Sequence, residues 1–124
     1  MNEYAQRVYS RLLELYGNEK DYLQTVQSWL EMVSPAIDSN PEYEKQDLLT
    51  RMVEPERMVS FLVAWQDDAG NYHTNHGYRV QFNSAIGPYK GGLRFHPSLN
   101  GSTVKFLGFE QTYKNALSGL PIGG

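Results

Sequence analysis

Hydrophobic residues in the first part of the chain recur every three or four positions, which is the spacing of an amphipathic helix. A first stripe predicts a helix over residues 2–16, and Gly17 is a natural place for it to end. A second stripe predicts a helix over 21–38, which Pro35 is expected to kink or split. The two stripes are formed by Tyr4, Val8, Leu12 and Leu15, and by Leu23, Val26, Leu30, Val33 and Ile37.

A third, shorter helix is predicted after the Asn-Pro pair at residues 40–41, since this pair is typical of helix starts. It carries the apolar residues Leu48, Leu49 and Met52. We expect it to end before Pro55, because the residue that precedes a proline disfavours helical geometry. The three helices together predict a helical segment over residues 1–56.

The hydrophobic period then changes to two, which is the period of a half-buried strand. Alternating residues predict strands over 57–66 and 73–84, and the turn-rich sequence QDDAGN between them predicts an antiparallel pair. A short third strand is expected at 93–95, after a glycine-rich stretch.

Helical spacing returns over residues 102–118, and residues 120–122 resemble the start of another strand. The fold class is therefore predicted as α/β, with an N-terminal helical arm followed by part of a mixed β-sheet packed with helices. The second unit of the chain is predicted to be residues 57–124.

Composition narrows the class of protein. The chain has 124 residues, 40% of them hydrophobic and 13% aromatic, so a packed core is expected. A net charge of -3 disfavours nucleic acid as a partner. There is no cysteine, no signal-peptide pattern in the first ten residues, and no apolar run longer than residues 61–65. These features predict a cytoplasmic protein without a membrane partner.

One lysine stands out because of its neighbours. Lys90 lies in the sequence GPYKGG, where Gly91 and Gly92 follow it at once. Two glycines suit a plain turn, which would make Lys90 an ordinary surface residue. They also let backbone N–H groups approach a bound anion while the lysine supplies positive charge.

A second lysine lies on the last predicted helix. Phe109, Tyr113, Ala116, Leu117 and Leu120 are expected to form the apolar face of that helix. At 100° per residue, Gln111 and Lys114 lie about 60° apart, on the shoulder beside this face. Lys114 is either a solvated helix lysine or the edge of a cleft. Lys90, Lys114 and Gln111 together would suit a small dicarboxylate.

The histidines do not favour a metal site. His73 and His76 fall at the start of a predicted strand without acidic ligands nearby, so no metal ligand is predicted there. His96 precedes a proline and is interpreted as a structural loop residue.

Three segments carry a resemblance to a known family. They are RMVEPERMVSFLVAWQDD, GYRVQFNSAIGPYKGGLRFHPS and KFLGFEQTYKNALSGLPIGG. In the same order over residues 51–124, they resemble the N-terminal substrate domain of hexameric glutamate dehydrogenases, in the Glu/Leu/Phe/Val dehydrogenase superfamily. The combination of IGPYKGGLRFHPS with KFLGFEQ is specific to that family.

The resemblance implies roles for four residues. Lys90 would hold the side-chain carboxylate of glutamate and Lys114 its α-carboxylate, while Gln111 and the backbone at Gly91 would line the substrate site. Related leucine and phenylalanine dehydrogenases have an apolar residue where Lys90 stands. The resemblance therefore favours glutamate as substrate.

The resemblance also implies that the full enzyme uses NAD or NADP to convert L-glutamate reversibly to 2-oxoglutarate and ammonia, as a homo-hexamer in nitrogen assimilation. The catalytic lysine of the family lies just beyond the position of Gly124. No catalytic or cofactor-binding residue is expected in this chain, which is interpreted as a fragment that is inactive by itself. The alternative is an inactive interaction module that pairs with intact subunits.

Overall fold

Five helices and one two-stranded sheet make up the fold in a computed structural model that describes residues 1–124. The order is α1 (Glu3–Tyr16), α2 (Lys20–Asp38), α3 (Pro41–Lys45), α4 (Leu48–Val53), β1 (Arg57–Gln66), β2 (Tyr72–Gln81) and α5 (Gly101–Ser118). The α/β class and the antiparallel strand pair are confirmed. No helix is long and apolar enough to cross a bilayer.

The two long helices form where the apolar stripes predicted them. Asn2 caps α1, because its side-chain oxygen accepts a hydrogen bond from the backbone N–H of Ala5 at 2.8 Å. Helix α2 runs through Pro35 without a break, so the expected split is wrong. Pro35 is exposed and lies in the last turn of the helix. It has no N–H to donate to the carbonyl group four residues earlier, and water can solvate that carbonyl group at the exposed helix end.

The predicted third helix is two short helices. The break falls at Asp47, which has a left-handed backbone with φ of 49°. The hydroxyl group of Tyr4 explains the break, since it donates to Asp47 Oδ1 at 2.8 Å and accepts from the backbone N–H of Leu49 at 3.0 Å. A tertiary contact from α1 thus outweighs the helical pattern of this segment.

The strands pair antiparallel from Arg57 opposite Gln81 to Gln66 opposite Tyr72. The turn between them is closed by Asp67, whose Oδ1 accepts from the backbone N–H groups of Ala69 and Asn71. Most of this ribbon is exposed on both faces. Its large exposed apolar residues are Met58, Phe61, Leu62, Val63, Trp65 and Tyr72.

Two predicted strands after the ribbon are absent. Residues 93–95 form no strand, and Leu93 and Phe95 are almost fully exposed. Residues 120–122 form no strand either, although Gly123 makes an isolated parallel bridge to Tyr89. The glycine-rich stretch is therefore a loop that one bridge ties to the end of the chain.

Helix α5 packs on α2 and β2 through a face that differs from the predicted one. Phe109 is buried and makes edge-to-face contacts with Tyr22, Phe82 and Trp29. Ala116, Leu117 and Leu120 are exposed, so the predicted apolar face is correct only in its first half. The buried side of α5 is Lys105, Gly108, Phe109, Thr112 and Asn115.

A buried ion pair joins α5 to the helical arm. The ammonium group of Lys105 lies 2.8 Å from Glu19 Oε2 and 3.0 Å from the centroid of the Tyr16 ring, with the lysine side chain 3% exposed. Burial lowers the pKa of Lys105, and the bond to Glu19 opposes this. Burial and a hydrogen bond to Glu54 raise the pKa of Tyr16 to about 12.

Candidate anion-binding site

A cavity of about 360 Å³ lies between α5, the end of β2 and the loop that follows it. All four residues singled out in the sequence, Lys90, Gly91, Gln111 and Lys114, line this cavity. Its other walls come from Tyr78, Arg79, Val80, Tyr89, Gly92, Leu93, Arg94, Leu99, Val104, Leu107, Gly108, Glu110 and Gly124. The fold thus joins two sequence segments about twenty residues apart into one site.

The cavity carries an excess of positive charge. Lys90 and Lys114 are exposed, and neither has a carboxylate oxygen within 4.0 Å. Arg79 and Arg94 also line the wall, and Glu110 carries the single acidic side chain among the lining residues. Unpaired cations around a concave surface attract and orient an anion.

Backbone hydrogen bonds fix the position of Lys90. Its N–H donates to the carbonyl oxygen of Gly123 at 3.1 Å, and the N–H of Gly123 donates to Pro88 at 2.8 Å. The carbonyl oxygen of Lys90 accepts a bond of 2.9 Å from the Asn115 side chain. The lysine therefore projects from an anchored backbone while its own side chain stays free.

The glycines around this loop differ in what an added Cβ atom would meet. A Cβ atom at Gly87 would overlap the carbonyl oxygen of Pro121, and one at Gly123 would overlap that of Asn83. A Cβ atom at Gly91 would lie 3.3 Å from Gln111 Cγ, whereas at Gly92 nothing lies within 4 Å. The tight backbone crossing is at Gly87 and Gly123, and Gly91 keeps room beside Gln111.

A second anchor holds the loop on its other side. The carboxylate of Glu56 accepts hydrogen bonds from the Ser84 N–H at 3.0 Å, the Ser84 hydroxyl at 2.7 Å and the Tyr89 hydroxyl at 2.8 Å. Partial burial alone would raise the pKa of Glu56, but these bonds outweigh it and lower the pKa below its ordinary value. Glu56 thus stays ionised and keeps Tyr89, the neighbour of Lys90, in place.

The histidines lie away from the cavity. His73 stacks on Trp65 with ring centroids 4.5 Å apart, and its Nε2 lies 2.8 Å from Asp67 Oδ2. His96 Nδ1 contacts the hydroxyl of Ser98 at 2.6 Å within the loop. No three His, Cys, Asp or Glu side chains cluster as metal ligands.

Sequence reasoning missed the polar residue that links the parts of the site. Asn115 is buried, and its amide contacts Lys90, Gly123 and Gln111. A signal was available, because Asn115 lies four positions after Gln111 and therefore on the same side of the helix. The predicted apolar face contained Ala116 and Leu117 in its place. Arg79 and Arg94 were not predicted as lining residues either.

The fold and the cavity define a helix-and-sheet domain with a cavity lined by an excess of cationic side chains. The family model of the Glu/Leu/Phe/Val dehydrogenase dimerisation domain matches residues 55–124, and the chain belongs to this family.

Two curated relatives within this family are named glutamate dehydrogenases. The NAD-specific glutamate dehydrogenase of Clostridium symbiosum is 54% identical over 124 residues, which is 100% of this chain and 28% of that protein. An NADP-specific glutamate dehydrogenase from an unknown prokaryotic organism is 55% identical over 98% of this chain and 28% of its own length. This chain therefore spans little more than a quarter of the relatives that it matches.

A solved glutamate dehydrogenase structure superposes with a TM-score of 0.96 at 54% identity, covering 99% of this chain and 27% of that chain. The helical arm is included in this match, so the whole arrangement of α1 to α5 is that of the relative.

Proposed function

We propose that the chain is the substrate-clamping part of an NAD- or NADP-dependent glutamate dehydrogenase, in which Lys90 binds the side-chain carboxylate of L-glutamate and Lys114 its α-carboxylate. Gln111 and the backbone at Gly91 line the same pocket and orient the substrate. The whole enzyme would interconvert L-glutamate and 2-oxoglutarate with ammonia. The family membership and the names of the relatives support this assignment.

The observation that carries the proposal is the meeting of two unpaired lysines in one cavity. A lone surface lysine needs no anchored backbone, yet Lys90 is held through its N–H and its carbonyl oxygen. A glutamate molecule has one carboxylate at each end, which matches one cation for each end. An apolar amino acid would leave the Lys90 charge without a partner, and this favours glutamate over branched or aromatic substrates.

The described residues do not fit a dinucleotide. The only strands pair antiparallel, and the chain lacks the glycine pattern GxGxxG that brings a helix N-terminus to a pyrophosphate. The proposal therefore assigns NAD or NADP to the whole enzyme and gives no cofactor contact or catalytic step to these residues.

Binding of 2-oxoglutarate to this chain tests the proposal. We expect saturable amide shifts at Lys90, Gly91, Gln111 and Lys114 in nitrogen-edited NMR spectra, with a dissociation constant on the order of 1 mM, or about -4 kcal/mol. The matched control ligand is 2-oxobutyrate, which lacks the distal carboxylate. It should bind at least about tenfold more weakly, because one charge-assisted bond is lost. Equal affinity for the two acids would contradict the assignment of Lys90.

The exposed ribbon β1–β2 favours a second role, which is assembly with other subunits. Leu62 is 67% exposed and Tyr72 is 84% exposed, and no element of the chain covers them. An exposed apolar ribbon with free edges favours pairing with a further copy. We propose that this ribbon contributes to the contacts of the homo-oligomer. The alternative is that the chain is an inactive module, which uses the same ribbon to pair with intact subunits.

We expect Leu62→Asp to weaken self-association of the chain by about tenfold or more, since it places a charge in an apolar contact. The measurement is sedimentation equilibrium over a range of concentrations. Met32→Asp is the matched control, because Met32 is 76% exposed on α2, away from the ribbon. An equal effect of both substitutions would show that the ribbon is not the contact surface.

A further inference from the structure

The side chain of Asn115 is buried, with only 7% of the residue exposed, and both its amide nitrogen and its amide oxygen are hydrogen-bonded within the chain. Its Nδ2 donates to the carbonyl oxygen of Lys90 at 2.9 Å and to that of Gly123 at 2.6 Å. Its Oδ1 accepts from Nε2 of Gln111 at 2.8 Å. Two donors and one acceptor on one short side chain are specific to asparagine, because glutamine is longer and aspartate lacks the donors.

The three partners belong to three different parts of the site. Lys90 lies on the loop after β2, Gln111 lies one turn earlier on α5, and Gly123 lies in the segment after α5. The carbonyl oxygen of Gly123 also accepts from the backbone N–H of Lys90, so it receives one bond from the loop and one from α5. A single buried amide therefore joins both walls of the cavity.

We propose that Asn115 is a positioning residue, which sets the distance between the Lys90 loop and the Gln111–Lys114 turn of α5 and so selects the length of the dicarboxylate. This inference rests on the proposed function. Asn115 itself lies behind the cavity wall and does not line it. Its effect passes through the Lys90 backbone and the Gln111 amide, which both line the cavity.

If Asn115 only closed the C-terminal end of α5, its substitution would have the same effect on the Lys90 loop as substitution of another residue that closes this end. Ser118 has that role, because its hydroxyl donates to the carbonyl oxygen of Asn115 at 2.6 Å and accepts from the Leu120 N–H at 3.2 Å. Ser118 makes no bond to Lys90 or Gln111. Ser118→Ala is therefore the matched control for Asn115→Ala.

The first measurement needs no ligand. Hydrogen exchange of the Lys90 N–H, which donates to Gly123, should be at least about tenfold faster in Asn115→Ala than in the wild-type chain. Ser118→Ala should leave it within about twofold. Asn115→Ser keeps one hydrogen-bond donor, its hydroxyl group. This variant is measured in the same way if Asn115→Ala fails to fold. Unchanged exchange at Lys90 in the folded variants would overturn the proposal.

The second measurement uses succinate, glutarate and adipate as probes, which differ only in the number of methylene groups. In the wild-type chain glutarate should bind best, by about tenfold over the other two acids. In Asn115→Ala this preference should shrink to about twofold, whereas lower stability alone would weaken all three equally. An unchanged preference would overturn the proposal. If the wild-type chain binds none of the three, the proposed function fails, and the exchange of Lys90 still decides the positioning role.

Discussion

Lys90→Leu in the complete enzyme is expected to lower kcat/KM for L-glutamate between about 30-fold and several thousand-fold. Removing one partner of a buried charge pair, as the pair of Lys90 with bound substrate would be in the closed enzyme, costs roughly 2–5 kcal/mol, and each 1.4 kcal/mol is a factor of ten. The lysine has no carboxylate of this chain within 4.0 Å, so its charge is free for the substrate. Steady-state kinetics with saturating coenzyme measures the loss.

A second substrate and a second variant make this prediction specific. With 2-aminobutyrate, which lacks the distal carboxylate, Lys90→Leu should have little effect on kcat/KM or improve it. Lys114→Leu should lower kcat/KM for both substrates, because both keep the α-carboxylate that we assign to Lys114. Unchanged glutamate kinetics in Lys90→Leu, or an equal loss with both substrates, would contradict the assignment.

Lys105→Ala is expected to lower the free energy of unfolding by about 3–5 kcal/mol. The substitution breaks the 2.8 Å pair with Glu19, removes the cation from the Tyr16 ring and leaves a cavity beneath α5. Chemical denaturation followed by circular dichroism measures the change. Lys105→Met keeps most of the volume and should cost less than Lys105→Ala because it leaves no cavity, while Glu19 loses its partner in both variants.

A lysine in an exposed pair is the matched control. Lys45 lies 2.8 Å from Glu42 Oε1, the same distance as in the buried pair, but its side chain is 70% exposed. Lys45→Ala should change the free energy of unfolding by less than about 0.5 kcal/mol. A Lys105→Ala chain that is as stable as Lys45→Ala would show that the buried pair does not hold α5 on the helical arm.

The long elements could be predicted because their hydrophobic residues recur along the sequence with a simple period. The apolar stripes of α1 and α2 and the alternation in β1 and β2 each continue for ten residues or more, so the predicted bounds lie close to those observed. The resemblance noted over residues 51–124 is confirmed by the family match over residues 55–124.

The errors arose where a tertiary contact overrides the local pattern. The Tyr4 hydroxyl breaks the helix at Asp47, and the loop containing Leu93 forms no strand because no neighbouring strand lies beside it. On α5 three of the five buried residues are polar, namely Lys105, Thr112 and Asn115, and the last two bond to backbone carbonyl groups. Hydropathy cannot identify such a face, because these residues are buried by hydrogen bonding and close backbone approach.

The four candidate residues could be identified from the sequence because each lies in a recognisable local pattern. Lys90 and Gly91 lie in a glycine-rich turn, and Gln111 and Lys114 lie one turn apart on a helix. Their meeting in one cavity is a property of the fold. Asn115 was missed because the spacing along α5 does not show that two carbonyl groups of distant segments lie beside it.

The crystal structure of this chain with 2-oxoglutarate would test the central claim most directly. We expect the distal carboxylate within about 3 Å of the Lys90 ammonium group and the carboxylate beside the keto group within about 3 Å of the Lys114 ammonium group. The Gln111 amide and the Gly91 backbone would contact the ligand between them. A ligand bound outside this cavity, or with neither carboxylate on a lysine, would contradict the roles proposed for Lys90 and Lys114.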